Sequence, residues 1–187
     1  MLAIRVYRAG QLASLGHNHV VSSDSLQGNI YVGADYADTW FELRLPVATL
    51  QVDNTKMRER YGDDFSGQVP ADAIAGTTTN LRGPQVLAAV DWPLVSIQGA
   101  VTRCVANKCV ADIYIELKGN VTRHTADVVV EQHADRLIIS SEFSLSQTAL
   151  GLQPFSVMMG ALSVADELSF ELDLVATEVV AGDLLPE

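Results

Sequence analysis

Two histidines two residues apart are the most conspicuous candidates for chemistry in the sequence. His17 and His19 lie in the segment LGHNHV, directly after Gly16. If this segment is a β-strand, the two side chains project from one face, because residues i and i+2 of a strand share a face. Two imidazoles at this spacing can bind one metal ion at about 2.0 to 2.1 Å. The spacing therefore predicts a metal- or haem-binding site built on this pair.

Such a site needs more ligands than two histidines. A third and a fourth ligand would have to come from His124, His133 or the acidic residues. The alternative interpretation is structural, with the His17 and His19 side chains closing one end of the fold through hydrogen bonds to backbone groups. His124 and His133 themselves lie near predicted turns, where an exposed histidine is the ordinary expectation. The pattern alone leaves both interpretations open.

The sequence lacks the pattern of a nucleophilic enzyme. Ser66 lies in DDFSG, which is not the G-x-S-x-G turn that presents a catalytic serine. The adjacent acids Asp63 and Asp64 lie in a polar segment and are typical of a solvated helix end, where negative charge is favourable. We therefore expect no catalytic residue and no enzymatic activity.

The two cysteines are close enough in sequence to form a disulfide. Cys104 and Cys109 enclose only Val-Ala-Asn-Lys, between two segments with strand character. In a short hairpin their α-carbons can lie within the ~4.4 to 6.8 Å that a disulfide tolerates. A disulfide favours an oxidising compartment, whereas two unpaired thiols are the alternative. A zinc site is not expected here, because the sequence lacks a second pair of cysteines.

Length and composition indicate one globular domain over residues 1–187. The chain of 187 residues is close to the ~150 residues of an ordinary domain. Hydrophobic residues make up 48% and charged residues 19% of the chain, which is typical of a folded protein. With 23 acidic and 12 basic residues the net charge is -11. Such a surface repels phosphate groups, so nucleic acid is not an expected partner.

The hydropathy of the sequence is used to predict the cellular location of the protein. The sequence has no run of about 18 apolar residues, so no membrane-spanning helix is predicted. The N-terminal segment MLAIRVYRAGQ also lacks the continuous apolar stretch of a secretory signal. The chain is therefore expected to be either a cytoplasmic protein or a mature exported one, and the predicted disulfide favours export.

Alternation of apolar and polar residues predicts an all-β fold. It is clear over residues 41–47, 113–118 and 168–176, and a period of two is typical of half-buried strands. From residue 92 to residue 147 the strands are separated only by tight turns, which predicts an antiparallel meander. Residues 54–89 instead predict one or two short helices. About eight strands are expected, enough to close into a barrel.

Motifs spread over roughly the last hundred residues go beyond periodicity. They are Leu87 and Ala88 before Trp92-Pro93, then Leu117, Gly119 and Val121-Thr122, then Gly151, Pro154-Phe155-Ser156 and Gly160-Ala161-Leu162. In their order and spacing these motifs resemble the YceI-like family of lipocalin-like, polyisoprenoid-binding periplasmic proteins.

The resemblance implies both a fold and a function. The fold would be a single antiparallel up-and-down, lipocalin-like barrel with a helical insertion over about residues 54–89, ahead of the fourth strand. The function would be non-catalytic binding of one long-chain lipid, such as an isoprenoid or a fatty-acid-like molecule, in an apolar cavity. The resemblance also implies a periplasmic location and a homodimer. The alternative for the interior is a barrel filled by its own side chains.

Large apolar side chains near the C-terminus are the expected ligand contacts. A flexible thioether is well suited to a cavity mouth that adapts to different chains, and for each candidate the alternative is an ordinary core residue. The candidates are Phe143, Leu145, Phe155, Met158, Leu168, Phe170 and Leu172.

Overall fold

The structure is a computed structural model that describes residues 1–179. The three segments in which apolar and polar residues alternate form strands, as predicted, and they belong to the fourth, seventh and eleventh strands of the chain. The strands are β1 (Leu2–Ala9), β2 (His19–Ser23), β3 (Gln27–Tyr31), β4 (Trp40–Pro46), β5 (Gln51–Val52), β6 (Leu94–Val105), β7 (Lys108–Leu117), β8 (Asn120–Gln132), β9 (Arg136–Ser146), β10 (Ser156–Val157) and β11 (Leu162–Thr177).

All the strands belong to one antiparallel sheet that curls on itself. Its order is β3-β4-β6-β7-β8-β9-β11-β1-β2-β5, and β10 pairs with β11. The consecutive pairing of β6 to β9 is the predicted meander. The predicted all-β, lipocalin-like fold class is confirmed, although the sheet has eleven strands where about eight were expected. Between residues 1 and 179 no ladder joins β3 to β5, so the described sheet is a curled half-barrel.

Two short helices interrupt the sheet between β5 and β6. They are α1 (Thr55–Arg60) and α2 (Ala71–Arg82), within the predicted insertion, which precedes the sixth strand rather than the fourth. Asn54 caps α1 by accepting a hydrogen bond from the Lys56 backbone N–H at 3.1 Å. Neither helix, nor any other in the described part of the chain, has the length and hydropathy needed to cross a membrane.

The two faces of the sheet pack against different apolar groups. On the outer face of β1 and β2, Phe65 is 2% exposed and packs with Ala3 and Val20. The segment around α1 therefore covers this part of the sheet from outside. The inner face contributes most of a larger cluster, which consists of Leu2, Val21, Leu45, Val47, Leu50, Val52, Val86, Leu87, Leu117, Leu150, Leu152 and Leu168.

A disulfide links the two strands of the first hairpin in the meander. Cys104 of β6 lies directly opposite Cys109 of β7 in the ladder, and the two α-carbons are 4.1 Å apart. The bond therefore closes the hairpin at its turn, as the spacing of the cysteines predicted.

Replacing both Cys104 and Cys109 by alanine is expected to lower the free energy of unfolding by about 2 kcal/mol. The loop between them is short, so its closure removes little conformational entropy from the unfolded chain. Urea denaturation of the oxidised protein and the double variant measures the difference. If a reductant lowers the free energy of unfolding of the unaltered protein by the same amount, the effect comes from the disulfide. If neither the reductant nor the double substitution lowers it, the prediction is wrong.

Candidate functional site

A cavity of about 660 Å³ lies inside the curl of the sheet. Along β11 it is bounded at one end by Leu162 and at the other by Leu174. Twelve residue steps of a strand extend over roughly 40 Å, so the cavity is long and narrow. Between these ends every second residue from Leu168 faces inward, because side chains alternate between the two faces of a strand.

The cavity wall is almost entirely apolar. Strands β4 and β6 to β9 contribute branched and aromatic side chains, and α2 covers one side with Ala73, Gly76, Thr77, Asn80 and Leu81. Among the described residues in the wall, Arg8 is the only arginine or lysine. The inward residues of the central strands are Phe41, Leu43, Leu45, Val95, Ile97, Val101, Cys109, Ala111, Ile113, Ile115, Leu117, Val128, Val130, Leu137, Ile139 and Phe143.

Two phenylalanines form an aromatic pair in this wall. Phe143 of β9 and Phe170 of β11 are opposite each other in the ladder, with ring centroids 5.0 Å apart and planes 6° from parallel. The His124 ring lies 4.8 Å from that of Phe143. His124 belongs to β8, opposite Ile113, and is partly buried, so the expectation of an exposed turn residue is wrong. Its Nε2 is buried and has no hydrogen-bond partner among residues 1–179.

The structure brings most of the predicted ligand contacts together. Leu145 packs against the inner cluster rather than lining the cavity. Met158 is 64% exposed and also lies outside the lining. The role of all seven residues in binding stays a prediction. Those that line the cavity are Phe143, Phe155, Leu168, Phe170 and Leu172.

Both histidines of the GHNH segment line the cavity, but they do not share a strand. His19 is the first residue of β2, whereas His17 precedes the strand. Their ring centroids are 6.3 Å apart. Within residues 1–179 no group of three histidine, cysteine or acidic side chains has the spacing to bind a metal ion. The metal or haem hypothesis therefore stays a prediction without a third ligand.

His19 is fixed by the buried carboxylate of Asp53, a residue that the sequence patterns did not single out as part of a site. The Asp53 side chain is 0% exposed, and its Oδ2 lies 2.6 Å from Nδ1 of His19. Its Oδ1 accepts hydrogen bonds from Arg58 Nη1 at 2.7 Å and from the Val20 backbone N–H at 3.0 Å. Burial by itself raises the pKa of Asp53, but the bonds from His19, Val20 and Arg58 outweigh it, so the pKa lies below its ordinary value.

The second ring nitrogen of His19 faces a residue of α2. Its Nε2 lies 3.4 Å from Oγ1 of Thr77, which also lines the cavity. This distance is long for a hydrogen bond. Four polar residues of the lining, His17, His19, Thr77 and Asn80, interrupt the apolar wall, and we call the part of the wall that they form the histidine end.

Solved structures with the same architecture decide the fold type. BcnA of Burkholderia cenocepacia superimposes with a TM-score of 0.64 and 15% sequence identity, over 93% of this chain and 96% of its own. The YceI protein of Campylobacter jejuni superimposes with a TM-score of 0.61 and 9% identity, over 86% of this chain and 85% of its own. The chain has the fold of the YceI proteins. The resemblance seen in the C-terminal motifs is thereby confirmed for the fold.

The YceI fold here rests on structure rather than on sequence similarity. No family model matches the chain, and no curated protein matches its sequence significantly. A mutant of the Campylobacter jejuni YceI protein, crystallised with a monobromobimane guest, gives a TM-score of 0.62 at the same 9% identity. Identities this low show that the architecture is shared, and the ligand must be argued from this chain's own cavity.

Proposed function

We propose that the protein binds one long-chain lipid or isoprenoid in its cavity, as a carrier or sequestering protein. The observation that carries the proposal is the cavity of about 660 Å³, lined almost wholly by apolar side chains. Its volume falls in the range of about 300 to 1,000 Å³ that is usual for ligand sites. A barrel filled by its own side chains would leave no space of this size.

The energetics favour a long apolar chain. Burial of about fifteen methylene groups contributes on the order of 12 kcal/mol, at ~0.8 kcal/mol each. Association costs about 4 to 15 kcal/mol. A cavity that already exists before binding keeps this cost low, because few side chains have to be ordered when the ligand enters.

We propose a non-catalytic role. Three side chains are arranged like the nucleophile, the base and the orienting acid of a catalytic triad: those of Thr77, His19 and Asp53. Thr77, however, lies in the interior of α2, where the helix itself uses the neighbouring backbone N–H groups. A transition-state oxyanion would need such groups unpaired and aimed at it. The triad-like arrangement is therefore better suited to holding a ligand than to acyl transfer.

Organic extraction of the purified protein, followed by mass spectrometry, tests the proposal. Protein made in a lipid-containing host is expected to yield about one long-chain lipid per chain. An empty extract would contradict the proposal if added isoprenoid alcohols, quinones and fatty acids also failed to bind to the delipidated protein.

The disulfide supports a periplasmic site of action. In protein isolated from that compartment, Cys104 and Cys109 are expected to resist alkylation until a reductant is added, because oxidised thiols do not react. Mass spectrometry counts the alkyl groups, and full alkylation of the unreduced, unfolded protein would remove this argument for export. The predicted homodimer is checked by sedimentation of the same sample.

A further inference from the structure

We infer that the histidine end holds an uncharged, hydroxyl-bearing head group of the ligand, with His19 Nε2 accepting the hydroxyl hydrogen bond. The inference deepens the proposed function and rests on it. It assigns the ligand to long-chain alcohols and phenols rather than to lipid phosphates or hydrocarbons without a polar head.

The hydrogen bond to Asp53 sets the role of each ring nitrogen. The pKa of Asp53 lies below its ordinary value, so the group is a carboxylate at neutral pH and can only accept. Nδ1 of His19, 2.6 Å away, must therefore donate its proton to Asp53. In the neutral ring this leaves Nε2 as an acceptor.

Nε2 is available to a ligand. Its hydrogen-bond partner among residues 1–179, Thr77 Oγ1, is 3.4 Å away, too far for a strong bond. The ring itself lines the cavity and its side chain is 14% exposed. Because Asp53 holds Nδ1, the ring is oriented before the ligand arrives, so binding costs little side-chain entropy.

The groups around His19 Nε2 offer an anionic head little unpaired positive charge. Arg58 uses its terminal nitrogens on Asp53 and on two backbone carbonyl oxygens. Arg8, the cation of the lining, donates from Nη1 to the Gly16 backbone oxygen at 2.7 Å. The buried pair of Asp53 and Arg58 carries no net charge, so it offers a phosphate no attraction. An uncharged hydroxyl needs no such charge, and Thr77 and Asn80, which also line the cavity, carry further hydrogen-bonding groups.

Three probes of equal chain length test the inference: a long-chain alcohol, its methyl ether and its phosphate monoester. Binding is measured by calorimetry at pH about 8.5, where histidine side chains are ordinarily neutral. The alcohol is expected to bind about five- to tenfold tighter than the ether, which corresponds to one net hydrogen bond. The phosphate is expected to bind no tighter than the alcohol.

Two variants of His19 separate the ligand contact from the structural one. Asparagine in His19→Asn can still donate to Asp53 from the Nδ1 position but lacks the Nε2 acceptor, so the preference for the alcohol should disappear. Glutamine in His19→Gln places an amide at the Nε2 position and should retain part of the preference. His133→Asn, at an exposed turn, is the matched control and should leave the preference unchanged.

A readout on the unaltered protein does not depend on how the variants fold. Addition of the alcohol should shift the ¹⁵N resonance of His19 Nε2, and addition of the ether should not. Equal binding of all three probes would show that the cavity takes the chain and that the inference alone is wrong. Tightest binding of the phosphate, or an unchanged preference in folded His19→Asn, would also overturn it. Failure of every probe to bind would overturn the proposed function itself.

Discussion

Replacement of Asp53 by alanine is expected to lower the free energy of unfolding by about 3 to 5 kcal/mol. Loss of one partner from a buried ion pair leaves the other charge uncompensated, and effects of this size are typical. Here the uncompensated charge is on Arg58, whose side chain is 11% exposed. The Val20 backbone N–H and His19 Nδ1 would lose their acceptor as well.

Asp53→Asn is the matched control for backbone strain. Asp53 has a positive φ of 55°, a conformation that asparagine tolerates and alanine does not favour. The asparagine variant keeps the shape and one acceptor oxygen, so its loss should be smaller than that of alanine. Urea denaturation at pH 7 measures both. A loss below about 1 kcal/mol in Asp53→Ala would contradict a stabilising role for the network.

The lowered pKa of Asp53 also predicts an acid dependence. Because its pKa in the folded protein lies below the value of about 3.9 in the unfolded chain, the carboxylate stabilises the fold fully above that pH. The contribution is lost as the pH falls through the lower folded value. Below pH about 4 the unaltered protein should therefore lose stability more steeply than Asp53→Asn does.

Leu174→Trp is expected to weaken the binding of a chain that fills the cavity by roughly 50-fold. Leu174 lines the cavity near one end of β11. A tryptophan side chain there would occupy space that the ligand otherwise fills, without disturbing the packing of the core. Exclusion of about three methylene groups at ~0.8 kcal/mol each costs about 2.4 kcal/mol, which gives that factor. Titration with a series of isoprenoid alcohols measures the effect, which should vanish for chains too short to reach this end.

Val175→Trp is the control on the same strand. Val175 is 66% exposed and lies on the opposite face, so a tryptophan there meets solvent and leaves the cavity unchanged. Equal losses in both variants would mean that the effect comes from the sheet and not from the cavity.

Sequence patterns predicted the strands that have one face in the cavity and the other in solvent. In β11 the difference between the cavity face and the solvent face produces the alternation of apolar and polar residues from Leu168 onward. The pattern fails in β2, where Val20, Val21, Ser22 and Ser23 are all buried, because the segment around Phe65 covers the outer face. A strand buried on both faces has no period of two, so its position could not be predicted from alternation.

The histidine end was only partly predictable. His17 and His19 are conspicuous by their spacing, but Asp53 is 34 positions from His19 in the sequence, and no local pattern links the two residues. Thr77 is one of three consecutive threonines in α2. Thr77 is the one that faces His19 because of the way the helical insertion folds over the sheet. Contacts between distant segments depend on the three-dimensional arrangement, and no periodicity in the chain records them.

The pairing of β1 with β11 has a consequence for how the molecule is made. Leu2 lies opposite Leu172, so β1 cannot complete its pairing until a strand synthesised much later is available. Ladders between such distant segments form slowly, because the entropy of closing the loop is lost before the contacts compensate for it. Until Leu162–Thr177 has emerged, β1 and β9 each lack a neighbour, and unpaired strand edges promote aggregation. The interval between synthesis and sheet closure is therefore when this chain is most vulnerable.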